Sequence, residues 1–309
     1  MTNARSGKHP WTAPWRLGTV TLLAVGMGAI AACSTDSPTP EAANPEATPT
    51  ETATPEQSEA SIEAIVTLTP LTADIIHTLD ADKLVGIPAS LMREEGDRFA
   101  GLEVVSEGRA EPNLEKIVAL EPDLVIGAAG FHDKSLARLE ELGVTTLAVE
   151  VDGWEALTTL TQDLAQQIGA DPQPLLERYE ACLAKAPEGS PSAIVLVSRQ
   201  PLLSPNKDSW AGDFLDQFNI QNLTADLQGE SPFEGYITLS EEKLLTTDPD
   251  VLLVVETGDN LLDQLKGDPF WGQLKATQTD AVKTFEYFGL VNPGTLASIE
   301  ATCDRLAQI

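Results

Sequence analysis

The chain has 309 residues, of which 48 are acidic and 19 are Lys or Arg, so its formal net charge at pH 7 is −29. A surface this acidic repels nucleic acid, which excludes DNA and RNA as partners. Such a charge is typical of a well-solvated exported protein, and it makes any arginine near a pocket stand out.

The first segment, residues 1–32, has the features of an export signal. Its charged residues are Arg5, Lys8 and Arg16, and an apolar stretch then continues to Ala32. That stretch is shorter than the roughly 20 residues that span a bilayer, and it ends in small residues, as cleavage sites do. The alternative is an uncleaved anchor helix. Cleavage would leave 309 − 32 = 277 residues with a net charge of 16 − 48 = −32.

Residues 33–61 begin at Cys33 and are predicted to form a tether. They are rich in Pro, Ser, Thr, Ala and Glu and contain no aromatic residue. Such a composition cannot bury enough apolar surface to fold, which predicts a disordered segment. Whether this stalk is O-glycosylated stays open.

From residue 62 onward, short apolar runs alternate with helical patterns, as in α/β proteins. Residues 62–151 are predicted to form an N-terminal α/β lobe, and the stretch from 88 to 112 is predicted to be irregular. The predicted strands of this lobe are 64–68, 84–87, 124–126 and 145–149, and its helices follow residue 70 and occupy 114–120 and 134–142.

Residues 108–131, GRAEPNLEKIVALEPDLVIGAAGF, are the most informative segment. Asn113 can cap a helix whose apolar residues recur at helical spacing. An apolar strand follows, and two glycines let the chain turn sharply where that strand ends. Ligands of parallel sheets lie beyond the carboxyl ends of the strands, so Arg109 and Phe131 are predicted to face one pocket. The alternative for Arg109 is a surface ion pair with a neighbouring glutamate.

The same pattern returns in the second half of the chain. Ser240 opens a helical pattern that leads through DPDVLLVV to a turn at Gly258, and the prolines Pro122 and Pro249 are 249 − 122 = 127 positions apart. This spacing predicts two pseudo-symmetric lobes with a ligand cleft between them. Residues 152–188 are predicted to be a helical connector, and residues 189–309 a C-terminal α/β lobe.

Further candidate ligand contacts are residues that follow predicted strands or occupy glycine-rich loops. Aromatic residues in loops are informative here because aromatics make up only 5% of the chain. Each of them could equally pack in a core. The candidates are Thr69, Leu71, Arg93, Arg199, Trp210, Phe233, Tyr236, Tyr287 and Phe288.

Three segments, EAIVTLTPLTADIIHTL, EPNLEKIVALEPDLVI and GADPQPLLERYEACLAKA, resemble the ABC-importer substrate-binding proteins for ferric siderophores, cobalamin and haem. The resemblance covers residues 62–309. It implies two lobes with mostly parallel sheets, joined by one long helix at about 172–186, and only small lobe movements. It also implies a permease as partner, and we expect a monomer.

The segment that ends at Cys33 resembles a bacterial lipobox. That resemblance implies cleavage before Cys33, diacylglycerol on its sulfur and an acylated new N-terminus. The protein would then be anchored by lipid to a bacterial membrane and face the periplasm or the cell exterior.

Within the family, GRAEPNLE followed by AAGF is most similar to the hydroxamate-siderophore binders. This resemblance implies that the Arg109 guanidinium contacts iron-bound oxygens, which suits its planar, permanently charged fork. Phe131 takes the place of an aromatic residue that is often Tyr in relatives. Ferric iron would arrive inside its chelator, so we expect no cofactor and no direct metal ligands. Cobalamin and haem are the alternatives, and a haem ligand would come from His132, Tyr236 or Tyr287.

The remaining predictions concern thiols, catalysis and docking. Cys182 and Cys303 lie on predicted helices, either as a disulfide or as two free thiols. The chain lacks a G-x-S-x-G elbow, an H-E-x-x-H pair and a phosphate-binding glycine loop with lysine, so we expect no enzyme. Asp133 and Asp259 each follow a glycine turn and are predicted to contact the permease, with helix capping as the alternative.

Overall fold

The computed structural model describes residues 62–309 except 108, 109, 228, 230, 232 and 259, and the side chain of Glu94 is not described. The predicted signal, Cys33 and the tether therefore lie outside the described residues, as do Arg109 and Asp259. Within the described part of the chain, no helix is both long and apolar enough to cross a bilayer.

The N-terminal lobe alternates strands and helices along the chain. Its elements are β1 (Ile65–Thr67), α1 (Pro70–Leu79), β2 (Leu84–Pro88), α2 (Ala89–Glu95), β3 (Glu103–Ser106), α3 (Leu114–Ala119), β4 (Leu124–Ala128), α4 (Asp133–Glu141) and β5 (Thr146–Val149). In the described part, the five strands form a parallel sheet in the order β3-β2-β1-β4-β5. The central strands β1 and β4 are buried, as their continuous apolar runs predict.

The stretch from residue 88 to 112 is not wholly irregular, so that prediction is wrong. It contains α2 and the edge strand β3. Neither element has a strong local signal: α2 has no capping side chain at Pro88, and β3 covers four residues, the first of them exposed. Both α2 and β3 are therefore stabilised by packing against β2 rather than by their local sequence.

Two helices connect the lobes, α5 (Trp154–Ile168) and α6 (Gln173–Leu183). Gly169 ends α5 in the left-handed conformation, with φ of 72°, which glycine adopts without steric cost. The predicted long helix at about 172–186 corresponds to α6, and α5 fills the first half of the predicted connector.

The C-terminal lobe contains a parallel sheet and a smaller antiparallel one. Its elements are β6 (Ser192–Leu196), β7 (Ser198–Arg199), β8 (Leu202–Pro205), α7 (Trp210–Gln217), β9 (Gln221–Asn222), β10 (Tyr236–Leu239), α8 (Glu241–Thr247), β11 (Val251–Glu256), α9 (Leu261–Lys266), α10 (Lys275–Gln278), β12 (Val282–Glu286), α11 (Tyr287–Leu290) and α12 (Leu296–Leu306). Among the described residues, the parallel sheet has the order β12-β11-β6-β9 and the antiparallel sheet β10-β8-β7. The predicted fold class is confirmed.

The two copies of the predicted repeat have the same local structure. Asn113 caps α3 by accepting from Lys116 N at 3.0 Å, and Ser240 caps α8 by accepting from Lys243 N at 3.1 Å. After each helix, the residue before proline is left-handed: φ is 48° at Glu121 and 42° at Asp248. Proline disfavours the right-handed helical conformation in the residue before it, so both helices end there.

The aspartate after each of these prolines ties the repeat to its own lobe. Asp123 Oδ2 accepts from the backbone nitrogens of Glu63 and Ala64, at 2.8 and 3.0 Å, just before β1. Asp250 Oδ2 accepts from the nitrogen and hydroxyl of Ser192, at 3.2 and 2.6 Å, at the start of β6. Each carboxylate therefore fixes the start of the first strand in its lobe.

A disulfide joins α6 to α12. Cys182 and Cys303 are bonded, with their Cα atoms 5.6 Å apart, a separation usual for disulfides. Of the two alternatives that the sequence left open, a disulfide or two free thiols, the structure has the disulfide. The connector is thereby fastened covalently to the last helix of the C-terminal lobe.

The carboxyl ends of the two parallel sheets face each other across the molecule. Asp74 on α1, which follows β1, accepts from Leu296 N at the start of α12 at 2.8 Å. Trp154, which begins the helix after β5, stacks on Trp210 of α7 with ring centroids 5.8 Å apart. Segments that leave the carboxyl ends of strands in one lobe thus contact their counterparts in the other.

Candidate functional site

Four aromatic side chains near these strand ends are exposed to solvent. Phe131 follows β4 and is 72% exposed, Phe233 precedes β10 and is 61% exposed, and Tyr287 and Phe288 directly follow β12. Contiguous exposed apolar side chains usually mark a surface that another molecule covers, and the rings of Tyr287 and Phe288 lie side by side. All four belong to the predicted ligand set, and their contact with a ligand stays a prediction.

A tight turn holds Phe131 in its exposed position. Gly130 has a φ of 74°, and its nitrogen donates to Asp133 Oδ1 at 2.8 Å. The buried ring of His132 lies beside Phe131, with centroids 4.8 Å apart and an edge-to-face angle of 84°. His132 Nδ1 accepts from Ala128 N at 2.9 Å. Hydrogen bonds therefore hold the turn after β4 in place on both sides of Phe131.

Burial lowers the pKa of His132, although the nearby Asp133 carboxylate acts in the opposite direction. The imidazole is therefore neutral at pH 7, and because Nδ1 accepts a hydrogen bond, its proton is assigned to Nε2. His132 is buried beneath Phe131, so it does not offer an exposed axial nitrogen for haem.

The C-terminal lobe presents two aromatic pairs. The rings of Phe233 and Tyr236 are 6.5 Å apart, and those of Tyr287 and Phe288 are 5.3 Å apart, both edge to face. Burial raises the pKa of Tyr236, and the neighbouring Tyr287 adds to the shift. Both pairs therefore lie in one region, and the Tyr236 phenol stays protonated as a possible hydrogen-bond donor.

Backbone geometry fixes Phe288 in this region. Phe288 and Gly289 interrupt the helical turn α11, and Gly289 has a φ of 99°. A side chain at Gly294 would lie 2.8 Å from Phe288 Cβ. Glycine at position 294 is thus needed for the close approach of the two chain segments.

Two of the predicted contact residues have side chains that lie in the core. Trp210 is 4% exposed, and its Nε1 donates to Gly289 O at 2.9 Å. Leu71 is 7% exposed and packs in the main hydrophobic cluster. Thr69 is partly exposed, but its Oγ1 already accepts from Thr72 N at 3.3 Å to cap α1. The position of a residue directly after a strand did not distinguish exposed residues from core residues, because both kinds occur at the carboxyl ends of the strands.

The described arginines differ in their availability. Arg199 forms a two-pronged pair with Asp268, with Nε–Oδ2 at 2.8 Å and Nη2–Oδ1 at 2.5 Å. Hydrogen bonding from Arg199 lowers the pKa of Asp268, and the same pair raises the pKa of Arg199. Its guanidinium is thus largely engaged within the protein. Arg93 is exposed on α2, and Arg109 lies outside the described residues.

Metal-binding and docking residues complete the predicted set. In the described part of the chain, no group of three or more His, Cys, Asp or Glu side chains could hold a metal ion. Asp133 is exposed and accepts from Gly130 N, so it stabilises the turn before α4. The N-cap residue of α4 is His132, so Asp133 does not have the helix-capping role that was the alternative to docking. Its proposed partner Asp259 lies outside the described residues.

Two acids that sequence reasoning did not single out join the lobes. Asp74 is fully buried, and Asp213 Oδ2 accepts from Trp154 N at 2.6 Å. A signal was available for Asp74, since an acid among the apolar residues of LTADII lies on the buried face of its helix. Burial of an unpaired carboxylate is costly, so such an acid indicates a specific partner.

Two α/β lobes joined by connector helices, with exposed aromatic side chains beside strands of both, have the architecture of a two-lobed substrate-binding protein. A family model described as periplasmic binding protein matches residues 65–286. The chain therefore belongs to the periplasmic binding protein family, which confirms the predicted family. Members of this family are substrate-binding transport proteins rather than enzymes.

Individual relatives agree with this assignment. The chain is 24% identical over 259 residues to a vitamin B12-binding protein of Salmonella typhi, covering 79% of this chain and 90% of that protein. It is 27% identical over 226 residues to an Fe(3+)-citrate-binding protein of Bacillus subtilis, covering 68% of each. The periplasmic haem-binding protein of Vibrio cholerae has the same fold, with a TM-score of 0.63 and 20% identity over 80% of this chain and 98% of that one.

Proposed function

We propose that this protein is the substrate-binding protein of an ABC importer and that it captures a ferric hydroxamate siderophore in the cleft between its lobes. The observation that carries the proposal is the set of exposed aromatic side chains, Phe131 on one lobe and Phe233, Tyr287 and Phe288 on the other. A ligand with large apolar faces would cover them, and the hydrophobic effect would favour its binding.

The choice of a hydroxamate ligand rests on Arg109. Its position in GRAEPNLE, before the turn that carries Phe131, is the feature that most resembles the hydroxamate binders. A guanidinium donates in a fixed fork to anionic oxygens, and iron-bound hydroxamate oxygens have that geometry. In this proposal the iron is cargo held by its chelator, and the protein needs neither a cofactor nor direct metal ligands.

Cobalamin or haem is the second candidate. Curated relatives include vitamin B12-binding proteins, and the exposed aromatic side chains would suit the flat face of either macrocycle. Neither ligand requires Arg109. Tyr287 is the exposed candidate for a haem ligand, since Tyr236 is partly buried and His132 is buried.

A fluorescence titration tests the proposal and separates its alternatives. Trp210 donates to Gly289 O, beside Phe288, so an indole lies next to the candidate site. Ferric desferrioxamine B is expected to quench this emission in a saturable manner. Arg109→Ala should weaken its binding about tenfold or more, as expected for loss of a hydrogen bond to charge. Quenching by cyanocobalamin or haemin, with no response to the ferric chelate, would reject the siderophore and favour cobalamin or haem as the ligand.

The proposal includes how the protein is held and what it meets. Cys33 would carry the lipid, and the tether would keep the folded body near the outer face of a bacterial membrane. The body would act there as a monomer without catalytic activity. It would deliver its ligand to a permease through Asp133 and Asp259. Metabolic labelling with a radioactive fatty acid, lost in Cys33→Ser, tests the anchor.

A further inference from the structure

Two aspartates form hydrogen bonds across the boundary between the lobes, and they do so in a crossed arrangement. Asp74 on α1, the first helix of the N-terminal lobe, accepts from the first backbone N–H of α12, the last helix of the C-terminal lobe. Asp213 on α7, the first helix of the C-terminal lobe, accepts from the first backbone N–H of α5, which follows the last strand of the N-terminal lobe. The pseudo-symmetry of the fold relates the two bonds.

Each of these hydrogen bonds stabilises the N-terminus of the helix that donates it. The N-cap residue of α5 is Gly153, which has no side chain to cap the helix, so Asp213 provides the cap from the other lobe. The N-terminus of α12 has its own capping box, and Asp74 adds a full negative charge there. Negative charge at a helix N-terminus is favourable because the helix dipole and unpaired N–H groups point toward it.

The surroundings of both carboxylates are built for these contacts. Asp74 is fully buried, and Arg98 Nη2 lies 2.5 Å from its Oδ1, which offsets the cost of burying the charge. A side chain at Gly153 would come within 3.0 Å of Asp213 Cγ, so glycine makes room for that carboxylate. Because N–H···carboxylate bonds are short and directional, they resist rotation of one lobe against the other.

We infer that Asp74 and Asp213 act together as a crossed inter-lobe clamp that sets the angle between the lobes and thus the width of the cleft. This clamp works independently of the ligand. It supplements the connector helices, which join the two lobes, and the disulfide, which fastens α6 to α12. The inference therefore goes beyond the proposed function and can be tested on the ligand-free protein.

Distance measurement between spin labels on the two lobes tests the clamp. Labels can be attached through Ala137→Cys on α4 and Glu242→Cys on α8, both exposed positions. Cys33→Ser in the full chain leaves these as the only free thiols, since Cys182 and Cys303 are bonded. Asp74→Ala and Asp213→Ala remove the accepting oxygens, whereas an asparagine would retain one. Each should widen the distance distribution or move its mean by about 2 Å or more, and the double variant should do so further.

The matched control is Asp123→Ala. Asp123 also accepts from backbone N–H groups, but both donors, Glu63 and Ala64, belong to its own lobe. The distribution of spin-label distances in this control variant should equal that of the parent protein. If Asp74→Ala does not fold, Asp213→Ala decides the question alone, because Asp213 is only partly buried. Parent-like distributions in the Asp213 variant, or equal broadening in the control, would overturn the clamp and leave ordinary helix caps.

Discussion

Phe131 shows how a single residue can be held in water by its neighbours. The Gly130–Asp133 hydrogen bond and the edge-to-face contact with His132 fix the turn, while the Phe131 ring stays 72% exposed. An unliganded aromatic in this position gains little from burial. Its value therefore lies in binding, where a stacked ring contributes both buried area and favourable geometry.

Replacement of Phe131 by Ala is expected to weaken ligand binding about two- to tenfold, the range that aromatic contacts contribute beyond area alone. The free energy of unfolding should change little, because the ring contributes little to the core. Equilibrium titration with ferric desferrioxamine B and urea unfolding measure the two effects. Leu142→Ala, another exposed apolar position, is the control. Equal affinities for all three proteins would remove Phe131 from the site.

At the scale of elements, the turn between β4 and α4 depends on a neutral histidine. His132 Nδ1 can accept from Ala128 N only while it carries no proton. Burial lowers the pKa of His132 below the usual 6.5. The unfolded state therefore binds more protons as pH falls through 6.5, and stability is lost in the range from there down to the pKa of the folded state.

The variant His132→Asn should make the unfolding free energy less dependent on pH between about 7 and 5, because the asparagine oxygen can accept the same N–H without titrating. Burial also lowers the pKa of His77, so part of the dependence should persist. Urea unfolding at a series of pH values gives the slope. A slope unchanged from the parent would show that His132 does not contribute to acid sensitivity.

At the scale of the whole molecule, the chain is strongly acidic, and a permease that recognises it would gain from complementary positive charge. Asp133 has a structural bond as well as a charge, so charge reversal there would also disturb the turn that carries Phe131. The two roles can be separated by an amide, which keeps the accepting oxygen and removes the charge.

Cells that carry Asp133→Asn together with Asp259→Asn are therefore expected to take up less radiolabelled ferric desferrioxamine B, while the purified protein binds this chelate as before. The matched control is Glu177→Gln with Glu180→Gln, two exposed acids on α6 of the connector. Lower affinity in the first double variant, or an equal loss of uptake in the control, would reject the docking assignment.

Much of the fold could be read from the sequence because its signals are local. Asn113 and Ser240 cap helices, the prolines at 122 and 249 end them, and the apolar runs that follow form central strands. The repeat of this pattern at a distance of 127 residues, 249 − 122, was sufficient to predict two lobes. The exposed aromatic residues were among the candidates that the sequence offered, but the same reasoning also included Trp210, which is buried.

Only the tertiary structure decided which residues at the strand ends are exposed and which are buried in the core. Trp210 and Phe288 both follow strands, yet one is buried and the other exposed. The tertiary structure was also needed to identify the disulfide and the contacts of Asp74 and Asp213, because their partners are distant in the chain. Capping, turns and strand formation depend on neighbours a few residues away, whereas burial and inter-lobe contacts depend on how the two lobes pack against each other.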